Sequence, residues 1–233
     1  MNAPSPQNGS QPMLNVSVSP HVRYGESVRS VMVCVVIALL PALAVSAYFY
    51  GPRVLIVTAV SVIAAILTEW VLTALMRRPR SIGDFSAVVT GLLVAYNVPP
   101  NVVWWIPALG SVFAIAVAKM AFGGLGHNFI NPALAGRAFL MASYPIHMTT
   151  FTFTQEQLRR VVVSGIDGVS SATPLAHMKD ALAAGTFQAL DFQEALGSLF
   201  WGNVGGCLGE TSVAALLLGA GFLWHKHMLS FRI

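Results

Sequence analysis

The chain has 233 residues, of which 55% are hydrophobic and only 9% charged, with a mean hydropathy of +0.69; too few charges remain to clothe a water-soluble domain of this size. The excess of 13 Lys and Arg over 9 Asp and Glu is modest, and the basic residues sit at the ends of apolar runs, where they meet lipid headgroups or set orientation. A membrane protein in contact with lipid is the class that remains, and nucleic acid is excluded as a partner.

Residues 1–20, "MNAPSPQNGSQPMLNVSVSP", are rich in Pro, Asn, Gln and Ser and lack a basic segment leading into an apolar one. They predict a disordered cytoplasmic tail with no cleavable signal peptide. The runs Ser30 to Tyr50 and Val54 to Met76 are each long enough, at 1.5 Å per residue, to cross a hydrocarbon layer of about 30 Å. They read as a helical hairpin turning at Gly51, Pro52 and Arg53. Val102 to Phe122 and Cys207 to Leu229 also reach spanning length.

Two further apolar runs are too short to cross at full thickness. Phe85 to Tyr96 opens after "IGD" and stops at "NVPP"; Pro132 to Tyr144 opens after "HNFIN" and stops at Pro145. A polar start and a proline stop describe either an ordinary tilted span or a broken helix whose end lines a site buried in protein. The expected fold is thus an all-α integral membrane protein with about six transmembrane or broken helices: a first helix group over 21–145, a long external loop over 146–206, and a final helix with a cytoplasmic end over 207–233. Orientation follows from the positive charges. Arg23 and Arg29 precede the first run and Arg77, Arg78 and Arg80 follow the second, against Arg53 alone in the turn between, so the N-terminus is expected in the cytoplasm.

Several polar residues interrupt this pattern. Glu69 lies inside the second run; a mid-membrane acid costs about 3 kcal/mol on insertion scales, which the twelve Val, Leu and Ile residues from Val54 to Met76 offset with about 4 to 6 kcal/mol. The helix still inserts, and the acid is either satisfied by a neighbouring helix or handles ions. Asp84 reads as the N-cap of the short helix, with ion access as the sharper alternative. Asn128 and Asn131, in "GHNFIN", stand at the mouth of the second short helix, where capping explains them. The glycines of "GGLGHN" make no dinucleotide fingerprint, since the third glycine and a preceding strand are missing. Arg137 reads as a partner for exposed carbonyls or an acid. Cys34 and Cys207 read as buried free thiols, and His225 and His227 lie too far round a helix from one another to share a metal.

Within the external loop stands "DGVSSATPLAHMKD", Asp167 to Asp180. Thr173 has the chemistry of a helix N-cap, Pro174 suits the first helical position and Gly185 suits the end. A helix N-terminus also favours an anion, so a phosphate ester on Thr173 would sit in a favourable field. By local chemistry alone, Ser170, Ser171 and Thr173 are turn and cap residues.

Asp167 followed by Ser170, Ala172 and Thr173 resembles the flavinylation motif in which a flavin transferase attaches FMN to the threonine through a phosphoester. The blocks "SPHVRYGESVRSVM", "SAVVTGLLVAYNVPP", "FGGLGHNFINPALAGRAFLMASYP" and "LGETSVAALLLGAGFL" are similar, in the same order from Ser19 on, to those of the RnfD family of the Rnf electron transport complex, itself similar to the corresponding membrane component of the sodium-translocating NADH:quinone reductase. The motif departs from the family at Ser171, where glycine is usual. The chain looks like the N-terminal part of the family fold.

The resemblance implies a multi-pass electron-carrier subunit of the bacterial inner membrane, not catalytic alone, within a ferredoxin:NAD⁺ oxidoreductase that moves Na⁺ or H⁺. It implies covalent FMN on Thr173 in a periplasmic loop, a noncovalent riboflavin near Asn128 and Asn131, and an ion pathway through Glu69 and Asp84. Its implied partners are the other Rnf subunits, a periplasmic flavoprotein among them, and the flavin transferase. The alternative from a different class is a flavin-free membrane scaffold or half-transporter, whose broken helices hold a solute.

Overall fold

The computed structural model describes residues 27–77, 82–151, 154, 179, 182 and 196–228, and every regular element among them is helical. Helix α1 runs over Val28–Tyr50 and α2 over Arg53–Leu75. A single 3₁₀ turn, Ile82–Asp84, leads into α3, Ser86–Tyr96. Helix α4, Trp105–Phe113, continues without a break as a π-helix, Ala114–Met120. Then follow α5, Pro132–Ser143, the short α6, Pro145–Thr149, and α7, Val213–His225.

The α1–α2 hairpin is the expected one. Ser27 caps α1 by accepting from Ser30 N at 3.2 Å, and Gly51 ends it with its N–H on the Ala47 carbonyl at 2.9 Å. Both helices are long and apolar enough to cross a membrane. Their faces are sorted in the sense opposite to a soluble protein. On α2 the exposed side chains include Leu55, Ile56, Ile63, Leu67 and Val71, whereas Thr58, Ser61, Glu69 and Thr73 are buried. The buried set recurs at three- and four-residue steps, which puts it on one stripe facing the other helices. An outer face of aliphatic side chains around a polar inner stripe is what a lipid solvent selects.

Close packing of small residues holds the short helices to the hairpin. A Cβ on Gly91 of α3 would lie 2.8 Å from Val62 Cα, so only glycine allows this approach. There Ser61 Oγ donates to the Gly91 carbonyl at 2.7 Å and meets Ser111 Oγ of α4 at 2.8 Å. Helices α4 and α5 meet in the same way, a Cβ on Gly136 being 2.7 Å from the Gly110 carbonyl oxygen. Between them lies an apolar core that includes Val54, Val57, Ile106, Leu140 and Leu208.

The two short helices appear where expected. The two longer runs do not extend as far as their hydropathy suggests: Val102 to Phe122 is helical only from Trp105 to Met120, and Cys207 to Leu229 only from Val213 to His225 among the described residues. The reason is local. Val102 N closes a turn on the Pro99 carbonyl at 3.2 Å after two prolines, which cannot donate to a helix. Residues 203–212 form a buried irregular strap whose Leu208 and Gly209 N–H groups bond the Val98 and Tyr96 carbonyls at 3.1 and 2.9 Å. Their apolar character comes from burial in protein rather than from exposure to lipid.

The bundle has two distinct ends. At one, Tyr50 OH donates to the Val204 carbonyl at 2.7 Å, and Thr154 Oγ1 donates to Asn203 Oδ1 at 2.5 Å. Ser46 Oγ, one turn away, donates to the Leu208 carbonyl. The described residues that flank the interval 155–195 therefore meet at the C-terminal end of α1. The other end gathers the start of α1, the end of the π-helix and the starts of α3 and α5.

Candidate functional site

At that second end lies a cavity of about 450 Å³, within the size range of small-molecule sites. Met32, Val89, Leu93, Phe129 and Ile130 give it apolar walls, and Ser86, Thr90, Lys119, Asn128 and Asn131 give it polar groups.

The polar side is tied to the helix interior by Lys119. This side chain is 1% exposed, and its ammonium sits 2.6 Å from Glu69 Oε2 and 2.6 Å from Ser86 Oγ. The Ser86 hydroxyl in turn donates to Asp84 Oδ1 at 2.6 Å, and the Ser86 N–H donates to the same oxygen at 2.8 Å. Glu69, Lys119, Ser86 and Asp84 thus form one connected line from the C-terminal part of α2 to the start of α3. Glu69 is 0% exposed, so the pair is compensated charge in a medium where either ion alone is costly.

Local backbone explains why Lys119 points inward. The π-helical turn shifts the register, with Ala121 N bonding the Ala116 carbonyl at 3.1 Å. This sets Lys119 on the buried side together with Ile115 and Ala118. Asp84 is aimed by Phe85, a non-glycine residue at φ 65°, a conformation that needs support from its surroundings. The guanidinium carbon of Arg29 lies 5.4 Å from the Phe85 ring centroid and supplies some of it.

Four of the residues singled out in the sequence converge here. Glu69 is the acid satisfied by a neighbouring helix. Asp84 accepts from the first N–H of α3, although it stands one position before Phe85, the residue at the cap itself. Asn131 caps α5 by accepting from Ala133 N at 3.0 Å. Asn128 braces the loop, its amide nitrogen donating to the Lys119 carbonyl at 3.3 Å and to the Gly124 carbonyl at 3.1 Å. Thr173, Asp167, Ser170, Ser171 and Ala172 lie outside the described residues, as does the tail at 1–20. Arg137 meets an acid as expected: it donates to Asn97 Oδ1 at 2.6 Å and Glu210 Oε1 at 3.2 Å. Cys34 and Cys207 are free thiols. Among the described residues no three His, Cys, Asp or Glu side chains gather to hold a metal.

One expectation needs correction. Not every basic residue at the end of an apolar run meets lipid headgroups, because Lys119, in the last turn of its helix, is fully buried against Glu69. The sequence signal is a single lysine in "VFAIAVAKMAF"; its partner stands fifty residues earlier in the chain, beyond the reach of local pattern. Ser86, which reads only as part of a helix start, is the second residue that sequence reasoning missed.

The cavity has the mixed lining that a flat ring system with a polar edge would need, apolar walls with Ser86, Thr90, Lys119 and Asn131 among its polar lining residues.

Apolar outer faces, a polar inner stripe and an ion pair buried beneath a cavity define a helical membrane protein with an ionised site inside its helix layer. The chain belongs to the NQR2, RnfD, RnfE family, whose model matches residues 15–233. It is 46% identical to the D-type subunit of the Na⁺-translocating ferredoxin:NAD⁺ oxidoreductase complex of Acetobacterium woodii, over 94% of this chain and 65% of that protein. To the D-type subunit of the proton-translocating ferredoxin:NAD⁺ oxidoreductase complex of Clostridium ljungdahlii it is 38% identical, over 95% and 65%. To the D-type subunit of the ion-translocating oxidoreductase complex of Sodalis glossinidius it is 31% identical, over 88% and 72%. The chain therefore spans about 65% of the length of the first two relatives.

Proposed function

We propose that the chain is the membrane electron-carrier subunit of an ion-translocating ferredoxin:NAD⁺ oxidoreductase of the Rnf type in the bacterial inner membrane. It carries FMN as a phosphoester on Thr173, within the motif of Asp167, Ser170, Ser171 and Ala172, and a noncovalent riboflavin in the cavity beside Asn128 and Asn131. When bound, the flavins supply the electron chemistry. The chain fixes their spacing, shields them from water and links their charge to Na⁺ or H⁺ at Glu69 and Asp84. Six helical elements cross or enter the membrane, with the N-terminus in the cytoplasm and the loop at 146–206 in the periplasm. Its partners are the other subunits of the complex, including a periplasmic flavoprotein, and a flavin transferase matures it.

The observation that supports this reading is the separation of the two ends. Met32 lines the cavity, whereas Tyr50 stands beside the residues flanking 155–195. At 1.5 Å per residue these two positions are about 27 Å apart along α1. A flavin on Thr173 and one in the cavity would thus serve opposite faces of the membrane, as an electron path across it requires.

Peptide mass spectrometry of the chain co-expressed with a flavin transferase tests the assignment. An FMN-sized adduct on the Thr173 peptide, absent from Thr173→Val, supports it. An unmodified threonine, with the transferase active on another substrate, overturns it in favour of a flavin-free scaffold.

A further inference from the structure

One wall of the cavity is a loop rather than a helix. Leu125, Gly126, Asn128, Phe129 and Ile130 all line it, and they lie between the π-helix and α5. We infer that residues 125–130 are a flap that gates entry to the cavity, held shut by the ring of Phe122 against that of Phe129. The inference rests on the cavity holding a noncovalent flavin, as proposed above.

The backbone fastens this segment at its ends and not along its length. Gly123 N bonds the Met120 carbonyl at 3.2 Å, Gly124 N the Lys119 carbonyl at 3.0 Å and His127 N the Gly124 carbonyl at 3.2 Å. The next backbone bond is the first of α5, from Ala135 N to the Asn131 carbonyl at 3.0 Å. Among the described residues no backbone hydrogen bond secures Asn128, Phe129 or Ile130. Two side-chain contacts hold the segment instead. The Asn128 amide nitrogen donates to the Lys119 and Gly124 carbonyls at 3.3 and 3.1 Å, and the Phe129 ring meets the Phe122 ring edge-on, with centroids 4.7 Å apart. Phe129 is 70% exposed, so the ring has few other supports.

The N-terminal end of the segment is built to turn. Gly123, Gly124 and Gly126 have φ of 118°, 99° and 90°, a region that other residues avoid. A Cβ on Gly124 or Gly126 would meet nothing within 4 Å. Packing therefore does not require glycine at these two positions; backbone conformation does. Glycines absorb large changes of φ and ψ at low steric cost, which suits a hinge. At the other end Asn131 and Pro132 fix the first turn of α5, so motion stops there.

A gate differs from a wall in what it does to rates. A ligand enters or leaves only while the flap is open, so both rates scale with the open fraction. Phe122 is not one of the residues lining the cavity, and it acts on the ligand only by positioning Phe129. Weakening that contact should speed entry and exit together and leave affinity unchanged.

The test is exchange of radiolabelled riboflavin into and out of the complex in its native membrane, with bound label recovered by acid extraction. Phe122→Ala should speed uptake and release by the same factor, about three- to tenfold for loss of one aromatic pair, at an unchanged dissociation constant. Phe122→Tyr keeps the ring contact and should exchange at the original rate. With flavin bound, unchanged rates in Phe122→Ala overturn the gate alone. So does a raised dissociation constant with unchanged uptake, which would make Phe122 a mere support for the wall. An unmodified complex with neither extractable flavin nor bound label overturns the cavity reading and the gate together. Should Phe122→Ala fail to fold, Phe122→Cys with Phe129→Cys, in a chain lacking Cys34 and Cys207, takes its place. Bridging the two thiols with a short, reducible bifunctional reagent should stop exchange, and reduction should restore it. Exchange that continues across the bridge overturns the gate.

Discussion

Lys119, on a π-helical turn, and Glu69, in the C-terminal half of α2, lie 2.6 Å apart with side chains 2% and 0% exposed. Neither position accounts for itself: each would place an uncompensated charge among helices whose outer faces are aliphatic. Together they make a neutral unit that the helix layer can hold.

Breaking the pair from one side should therefore cost more than removing it whole. Glu69→Gln or Lys119→Met should each lower stability by about 3–5 kcal/mol, and the double change by clearly less than their sum. Thermal unfolding of the three variants in one detergent measures this. Simple additivity would mean that the two charges do not interact.

The close crossing of α4 and α5 should be intolerant of any side chain at 136. A Cβ there meets the Gly110 carbonyl oxygen at 2.7 Å and Ala114 Cβ at 3.2 Å. Backbone cannot yield as a flexible side chain would, so Gly136→Val should cost about 1–3 kcal/mol. A melting temperature equal to that of the unmodified protein would contradict the packing.

At the mouth of the cavity, Asn131→Ala should lose the cap on α5 and about 1 kcal/mol of stability, while Asn131→Asp should keep both. If Asn131 also binds the cavity's occupant, both substitutions should lower the content of noncovalent flavin. That separates its two roles, since aspartate restores the cap but not the donor amide.

Orientation is open to cysteine labelling. In a chain lacking Cys34 and Cys207, Asn101→Cys marks the end near Tyr50 and Leu125→Cys marks the cavity end; both positions are exposed. An impermeant maleimide added to whole spheroplasts should label the first, and the second only after permeabilisation. The reverse pattern would invert the proposed topology.

Much of this protein is legible in one dimension. Hydropathy and length determine α1 and α2, because a helix that must satisfy its own backbone in lipid needs a long uninterrupted apolar run. Polar starts and proline stops determine α3 and α5, since Asp84 and Asn131 act through neighbours two residues away. Such short-range chemistry needs no knowledge of the rest of the fold.

What only the tertiary structure decides depends on residues far apart in the chain. Hydropathy cannot tell an apolar residue facing lipid from one buried in an irregular strap, so it starts α4 and α7 too early; the Val102 turn on Pro99 delays the first, and the bonds from Leu208 and Gly209 to Val98 and Tyr96 delay the second. Nor can it pair a lone lysine with a lone acid. Lys119 and Glu69 are fifty residues apart and meet only because the α3–α4 turn folds the π-helix back against α2. The cost of a buried charge requires a partner for Glu69 from the sequence onward; packing alone determines that Lys119 is such a partner, and that the pair lies beside a cavity.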